Sequence, residues 1–327
     1  MDNYLNMSTP LVSVILPVYN AELYIRESIQ SILNQSFSNF ELIILNDGST
    51  DASEKVISEF QDERIKYVKN ETNLKLIDTL NLGLKLTQGK YIARIDADDV
   101  AFPDRFEKQI TFLENNPDYG LVGSFAECFG DINGILKYVE EDQDIRLALL
   151  THNPFIHSTI MLRSTVLKEN NLAYKKDQLH VEDYDLWIQM LAFTKAKLIS
   201  ECLIKYRVHE NQVSTVYREL QKLNAENLQR AYFKSIFKGI SNIEEMCSIF
   251  YDQFFSDLII LFVKNRKKIK LSLSNEVQKK VFNTIDIKSR DAYLIKEKVG
   301  IKELFSTILF NDFFTLKQRA GLIFKLL

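Results

Sequence analysis

The sequence is poor in several features whose scarcity limits what the protein can be. Its 327 residues include only three cysteines, Cys128, Cys202 and Cys247, which lie far apart in the chain. An odd number of separated cysteines without metal-ligand spacing predicts reduced, mostly buried thiols, not a disulfide framework or a zinc site. This cysteine usage favours a cytoplasmic protein.

Long apolar runs are also missing. The longest, residues 258–263, is far shorter than the roughly 20 residues that a membrane-spanning helix needs. The first residues contain neither a basic nor an apolar segment, so we expect no signal peptide. A formal net charge of −3 argues against a nucleic-acid partner, because general nucleic-acid binders are usually basic.

What the sequence does contain is a series of β-branched runs that alternate with helical patterns. Strands are predicted at residues 11–16, 40–45, 64–68 and 91–95, and helices at residues 22–33 and 74–86. Pro17 is expected to stop the first strand, and Asp51 and Glu54 have the spacing of a capping box for a further helix. The alternation predicts an α/β protein whose largely parallel sheet is covered by helices on both faces.

Three groups of polar side chains follow these strands: Asn20, Asp47 and a cluster of Asp96, Asp98 and Asp99. Ligands of such sheets bind beyond the C-terminal ends of the strands. If the backbone stays extended, Asp96 and Asp98 point to one side and Asp99 to the other. The paired carboxylates suit Mg²⁺ or Mn²⁺ completed by substrate phosphates, and the alternative is a solvated acidic turn before the helix at Pro103.

The second half of the chain contains further patterns. A hairpin is predicted from residues 119–129 and 135–139, a loop entering a strand at 153–163, an acidic helix start at 182–191 and a strand at 197–208. Arg105 and Gln109 lie one turn apart and share a helix face. From Val213 onward helical spacing dominates, so we predict domains at residues 1–215 and 216–327.

Six motifs in this order carry a resemblance to a known family. They are Val12–Asn20, Asn46–Asp51, Gly89–Asp99, Pro103–Arg105, Glu182–Asp183 with Leu186–Trp187, and Tyr206–His209. Together they resemble the family 2 glycosyltransferases of the GT-A fold, many of which build bacterial surface polysaccharides. The resemblance covers about residues 10–215 and implies a Rossmann-like, mostly parallel sheet followed by a helical C-terminal region.

The resemblance implies a UDP-sugar donor and a divalent cation. The donor contacts that it implies are Pro17, Tyr19, Asn20, Glu22, Asp47, Arg94 and Asp96. Asp47 would accept the uracil imide N–H, while Asp98 and His209 would bind Mn²⁺ or Mg²⁺. Each residue also has a structural interpretation: Asp47 as a turn residue, Arg94 as half of an ion pair and His209 as a buried histidine.

For catalysis the resemblance implies one displacement that inverts the anomeric carbon. Asp183 is the candidate general base, and Glu182 beside it would bind or orient the acceptor. The alternative is that both acids only complement the helix dipole. Trp187 is expected in the core, with a sugar-stacking role as the alternative, and His157 matches the acceptor side by analogy.

The sequence departs from the family pattern at two places beside the expected nucleotide site. Leu74 stands where many members have glycine, and Leu80–Asn81 stand where many have an Arg-Asn pair. At these two places we expect the loop next to the nucleotide, and any phosphate contact from the following helix, to differ from the family pattern. Asn46 replaces a common aspartate, with little expected effect because Asp47 follows.

Two other classes remain as alternatives: a nucleotidyltransferase, and a catalytically dead module that binds sugar nucleotides or glycans. The first would carry a Gly-rich basic loop after the first strand, which Pro17–Asn20 does not match. Toward the C-terminus, the basic segment Lys264–Lys270 and recurrent phenylalanines fit either packing and self-association or contact with anionic lipid at the inner face of the plasma membrane. The acceptor would be a saccharide or a lipid-linked saccharide.

Overall fold

The computed structural model describes residues 9–210 and 212–236, together with Glu244 and Cys247. The strands are β1 Val12–Val18, β2 Phe40–Asn46, β3 Ile65–Lys69, β4 Tyr91–Arg94, β5 Val100–Ala101, β6 Tyr119–Gly130, β7 Gly134–Leu136, β8 Met161–Arg163 and β9 Lys195–Val208. The helices are α1 Ile25–Leu33, α2 Ser53–Ser58, α3 Leu76–Leu86, α4 Arg105–Asn115, α5 Asp142–Ala148, α6 Ser164–Glu169, α7 Glu182–Met190, α8 Val213–Val216 and α9 Arg218–Ile236. A 3₁₀ turn spans His157–Thr159.

All of these strands belong to one sheet in the order β3-β2-β1-β4-β8-β6-β9-β5, with β7 paired to β6. The first four strands are parallel. Beyond β4 the sheet is mixed: β8 is antiparallel to β4 and β6, β9 is parallel to β6, and β5 is antiparallel to β9. The predicted α/β sheet is therefore confirmed, with the parallel pairing concentrated in its first half.

Both faces of the parallel half are covered. Strands β1 and β2 are buried along their whole length, as expected for strands with helices on each side. On one face their apolar side chains form a core with buried residues of α1 and α4. On the other face α3 packs so closely that a Cβ on Gly83 would lie 2.8 Å from Ile15 Cγ2. The sheet is thus rigid where its strand ends meet.

Strand β1 does not end at Pro17, contrary to our prediction, but continues to Val18 opposite Asn46. The O atom of Ile15 accepts from Ile95 N at 3.2 Å, so Pro17, two residues later, also faces the β4 side. Strand β4 pairs with β1 only as far as Ile15. No neighbouring carbonyl therefore needs the N–H that proline lacks, and the strand continues.

The predicted capping box is also wrong. The N-cap of α2 is Ala52, whose N–H donates to Glu22 Oε2 at 2.7 Å. Asp51 instead accepts from Ser53 N and Glu22 N, and Glu54 pairs with Lys69. The side chains that would cap the helix are used to connect neighbouring loops.

Contacts divide the chain into two compact units, residues 1–228 and 229–327. The segments Lys264–Lys270 and the late phenylalanine-rich stretches lie outside the described residues. Among the described residues, no helix is both long enough and apolar enough to cross a bilayer. The functional boundary near residue 215 stays a prediction.

Candidate active site

The loops after β1 and β2 are joined by hydrogen bonds into one rim at the C-terminal edge of the sheet. Asn20, in the left-handed region at φ 51°, accepts from Thr50 N at 2.8 Å. Glu22 N donates to Asp51 Oδ2 at 3.0 Å. Pro17 lies within β1, and Tyr19, two residues later, is half exposed. The predicted donor residues of the first loop therefore lie together with the start of the second.

Asp47 lies at the end of β2 and is 4% exposed. Its Oδ1 accepts from Asn70 Nδ2 and from Leu74 N, both at 2.8 Å. Because the second donor is a backbone N–H, leucine supplies it as well as the glycine common in the family. The departure at Leu74 thus leaves this contact intact. Asn46, which stands where aspartate is common, donates to Tyr67 and accepts from Ser49 N.

At the departure Leu80–Asn81, the arginine common in the family is missing from this position of α3. Asn81 instead bonds to the backbone of Tyr174: its Nδ2 donates to the carbonyl at 2.8 Å, and its Oδ1 accepts the N–H at 3.0 Å. This pair of bonds fixes the segment that precedes α7. Asn81, which matches the asparagine of that pair, therefore has a structural function here, and the arginine position is occupied by the buried Leu80.

The three aspartates after β4 converge, which corrects the expected alternation. Strand β4 ends at Arg94, and Asp99 N then donates to Asp96 O at 3.3 Å, closing a turn. Alternation applies only to extended backbone. One carboxylate oxygen from each of Asp96, Asp98 and Asp99 lies within 4.8 Å of the others.

Asp96 already has a cationic partner within the protein. Two guanidinium nitrogens of the buried Arg94 donate to its two carboxylate oxygens. Ser158 Oγ adds a bond to Asp96 Oδ2 at 3.0 Å. Arg94 thus has the geometry of an internal ion pair, the structural alternative weighed from the sequence.

Asp98 and Asp99 have weaker compensation. Burial raises the pKa of Asp98 and the charge of Asp96 adds to it, although His209 acts in the opposite direction. Burial, then Asp96 and Asp98, raise the pKa of Asp99 well above its usual value. For Asp99, burial and repulsion outweigh the nearby positive charges of Arg94 and Arg105.

The donor set suits a hard divalent cation. His209 Nε2 lies 2.9 Å from Asp98 Oδ2, so the predicted pair meets across 111 residues of chain. Within the described part of the chain, two buried atoms of the group, Asp99 Oδ2 and His209 Nδ1, have no hydrogen-bond partner. Carboxylate oxygens with one imidazole match Mn²⁺ or Mg²⁺ chemistry, and a cation there would relieve the crowded charge.

Arg207 was not singled out from the sequence, although it lies inside the Tyr206–His209 motif. Its N–H donates to Asp99 Oδ1 at 2.9 Å and its Nε to Asp98 O at 2.8 Å. The guanidinium lies between the rings of Tyr24 and Phe129, at 4.6 and 4.2 Å from their centroids. This side chain fixes the acidic turn against the end of β9.

Glu182 and Asp183 begin α7, and the charge of Arg94 acts on both of them. Burial raises the pKa of Glu182 to about 7, with repulsion from Asp183 adding to it. Burial raises the pKa of Asp183 to about 6, opposed by the N–H of Tyr184 and the charge of Arg94. Asn153 Nδ2 also donates to Asp183 Oδ2 at 2.8 Å. A carboxylate in this pKa range can exchange a proton near neutral pH.

The aromatic residues nearby are mostly structural. Trp187 is fully buried, as predicted for a core residue. His157 bonds through Nε2 to Tyr174 OH at 2.9 Å and packs edge-on against Trp187. Burial lowers the pKa of His157 well below its usual value, so this imidazole is neutral. No sequence pattern pointed to Tyr174.

Comparison with known proteins identifies the family. The model of glycosyl transferase family 2 matches residues 13–170. An uncharacterized glycosyltransferase of Haemophilus influenzae is 41% identical over 234 residues, which are 68% of this chain and 72% of that protein. The chain belongs to glycosyltransferase family 2.

Two further comparisons, one with a relative and one with a solved structure, add to this result. The UDP-Glc:alpha-D-GlcNAc-diphosphoundecaprenol beta-1,3-glucosyltransferase WfgD of Escherichia coli is 31% identical over 68% of this chain and 85% of its own length. Staphylococcus aureus TarS, residues 1–349 in complex with UDP-GlcNAc, superposes with a TM-score of 0.59 at 18% identity over 84% of this chain and 79% of that one. The superposition shows the GT-A fold.

The family model matches only part of the candidate site. The matched residues 13–170 include the loops after β1, β2 and β4. Glu182, Asp183 and His209 lie beyond them. The assignment of those three residues therefore depends on geometry.

Proposed function

We propose that this glycosyltransferase moves a sugar from a UDP-sugar to a saccharide or lipid-linked saccharide acceptor, with inversion and with a divalent cation. The observation that carries the proposal is the presence of two distinct acidic groups that both feel the charge of the buried Arg94. One group, Asp98 and Asp99 with His209, is crowded, and burial with mutual repulsion raises the pKa values of both carboxyls. The other, Glu182 and Asp183, is buried with raised pKa values.

The donor is bound at the rim of the first two loops. Asp47 uses Oδ1 for Asn70 and Leu74, and its Oδ2 has no hydrogen bond among the described residues. That oxygen accepts the imide N–H of uracil, and a base without this donor would leave a buried acid unpaired. The names of WfgD and TarS, which pair those proteins with UDP-Glc and UDP-GlcNAc, support a UDP-sugar.

The diphosphate binds at the acidic turn. Asp98 and His209 would hold the cation, which when bound would supply positive charge near the leaving diphosphate. Asp96, whose two oxygens accept from Arg94, contacts the ribose or supports the metal ligands and is not itself a metal ligand. Arg207 keeps the turn in place.

Asp183 accepts the proton of the acceptor hydroxyl. The acceptor oxygen bonds to the anomeric carbon as the bond from that carbon to the diphosphate breaks, and the proton moves to Asp183. One such displacement inverts configuration. Because the pKa of Asp183 is about 6, the carboxylate is mostly ionised above that pH, which a base requires.

The test is release of UDP from a panel of UDP-sugars by the full chain with Mn²⁺. Asp183→Asn should reduce turnover by at least about 100-fold while UDP binding by calorimetry is unchanged. Asp185→Asn is the matched control, because Asp185 lies on the same helix but bonds to Lys175 and Gln189. A near-normal rate in Asp183→Asn would refute the assignment of the base.

The setting follows from the same chemistry. We propose that the reaction takes place in the cytoplasm, where the three thiols stay reduced. A lipid-linked acceptor would bring the protein to the inner face of the plasma membrane. Such acceptors fit surface polysaccharide synthesis, and the acceptor in the name of WfgD supports this.

A further inference from the structure

The segment between α5 and β8 connects the two acidic groups. At its start, Asn153 Nδ2 donates to Asp183 Oδ2 at 2.8 Å. Five residues later, Ser158 Oγ donates to Asp96 Oδ2 at 3.0 Å. One short stretch of chain therefore contacts both the candidate base and the carboxylate paired with Arg94.

The amide of Asn153 is held in one orientation. Its Oδ1 accepts from Phe155 N at 3.0 Å, which is the Asx turn typical of this residue type. The Nδ2 group consequently points to Asp183, whose Oδ1 accepts from Tyr184 N at 2.7 Å. Both oxygens of the base are fixed, and each keeps a second lone pair that can take a proton.

Ser158 is fully buried and makes three contacts around the acidic turn. Its single proton goes to Asp96 Oδ2, and its oxygen accepts from Asp96 N at 3.0 Å and from Arg94 Nη1 at 3.4 Å. The hydroxyl therefore determines where Asp96 and Arg94 lie relative to each other.

The end of the segment is anchored by α4. Gln109 Nε2 donates to Thr159 O at 2.6 Å, and Arg105 Nη2 donates to Ile160 O at 3.0 Å. Both of these α4 side chains are fully buried. Arg105 and Gln109, which share one face of α4, thus hold the end of the segment from the core.

We propose that residues 153–158 are a positioning segment in which Asn153 orients Asp183 for proton acceptance and Ser158 orients Asp96 on the donor side. The catalytic meaning of this proposal rests on the proposed function, whereas the two contacts do not. The charged or titratable groups that act on Asp183 are Glu182 on its own helix, Arg94 at the end of β4 and Tyr174 before α7, and Asp96 acts on the neighbouring Glu182.

The first test measures Asp183 directly, in the full chain labelled with ¹³C at the aspartate carboxyl carbons. The titration curve of Asp183 is identified as the one that is missing from the spectra of Asp183→Asn. Asn153→Ser withdraws the donor from Asp183 but keeps an oxygen for Phe155 N, and Asn153→Ala serves as a second variant. Losing a hydrogen bond to the ionised form should raise the Asp183 midpoint by about one pH unit.

The same variant should change catalysis in parallel. The acidic limb of the pH profile for UDP release should move upward by the same amount, because the base must be ionised. The control is Asn170→Ser, since Asn170 Nδ2 bonds to Val166 O on α6. It should move neither the midpoint nor the limb.

Ser158→Ala tests the other end of the segment. It should weaken UDP binding in the presence of Mn²⁺ by about threefold to tenfold, the cost of one hydrogen bond, without moving the Asp183 midpoint. Ser164→Ala is its control, because Ser164 bonds to Lys90 O.

The outcomes separate this proposal from the function on which it rests. An unchanged Asp183 midpoint in a folded Asn153→Ser chain, or unchanged UDP affinity in Ser158→Ala, overturns the positioning role. Normal turnover by Asp183→Asn overturns the base assignment and the catalytic meaning with it. A shifted midpoint together with a shifted acidic limb supports both.

Discussion

At the scale of single residues, environment and not residue type separates the roles of the acids. Asp96 has its charge balanced by the two guanidinium nitrogens of Arg94. Asp98 and Asp99 are crowded, and burial raises their pKa values. Asp183 is buried but held by two hydrogen bonds. The crowded acidic turn calls for a cation, whereas an acid held by hydrogen bonds with a pKa of about 6 suits proton transfer.

Asp98→Ala should remove the dependence of UDP binding on Mn²⁺. The substitution deletes the carboxylate that lies 2.9 Å from His209, and one ligand fewer weakens the cation that links protein to diphosphate. Calorimetry of UDP with and without Mn²⁺ measures the effect. Asp118→Ala, which removes an exposed acid paired with Lys195, is the control. Unchanged Mn²⁺ dependence in Asp98→Ala would end the metal assignment.

Glu182→Gln should make the protein more stable at high pH. The folded-state pKa of Glu182 is raised to about 7 from 4.5, so folding carries a cost that is absent below about pH 4.5, grows between about pH 4.5 and 7, and stays at its full size above about pH 7. The neutral glutamine avoids this cost. We expect a gain on the order of 1–3 kcal/mol at about pH 8 and almost none near pH 4.5.

Urea denaturation at the two pH values measures this difference. Glu59→Gln is the control, because Glu59 is exposed and pairs with Arg26 on the surface; it should show little pH-dependent difference. Equal stability of Glu182→Gln and the wild type at both pH values would contradict a buried, ionised Glu182.

At the scale of elements, the loops at the strand ends hold each other in place. The loop after β2 turns at Gly48, whose φ of +71° favours glycine. A Cβ there would lie 3.0 Å from Asn73 N. The following residue, Leu74, donates its N–H to Asp47. The glycine therefore allows the close approach that fixes the candidate uracil acceptor.

Gly48→Ala should lower stability by about 1–3 kcal/mol and weaken UDP binding. The added methyl meets backbone atoms, which cannot move aside as a flexible side chain can, and the φ angle is strained. Gly134→Ala is the matched control, since nothing lies within 4 Å of its Cβ position. Thermal unfolding and calorimetry of UDP binding check both effects, and identical behaviour of the two variants would contradict the argument.

At the scale of the whole chain, the two halves of the sheet contribute different parts of the site. The parallel half, β1 to β4, carries the donor loops. The mixed half brings back β9, which ends beside the acidic turn through Arg207 and His209. Segments after β8 place α7 with Asp183. Chemistry at one edge thus depends on strands that are distant in sequence.

Beyond the described residues, the basic and phenylalanine-rich segments carry a prediction of their own. If they contact anionic lipid, the full chain should co-sediment with liposomes that contain phosphatidylserine, and a chain that ends at residue 240 should not. High salt should weaken the full-chain binding. Equal recovery of both chains would assign these segments to packing or self-association.

The sequence by itself determined the parallel strands, the helices between them, the residue types at their ends and the family. These follow from local periodicity and from motifs whose residues are close in the chain. It did not predict that Asp99 turns inward, that Pro17 lies within a strand, or that Asn153, Ser158, Tyr174 and Arg207 surround the acids.

Only the tertiary structure decided those features, because each depends on a partner far away in sequence. Arg207 meets Asp99 across 108 residues, and Ser158 meets Asp96 across 62. Pairings of this kind are fixed by sheet order and by packing, which no local pattern encodes. The candidate acids were visible in the sequence, and the side chains that orient them became visible only in the fold.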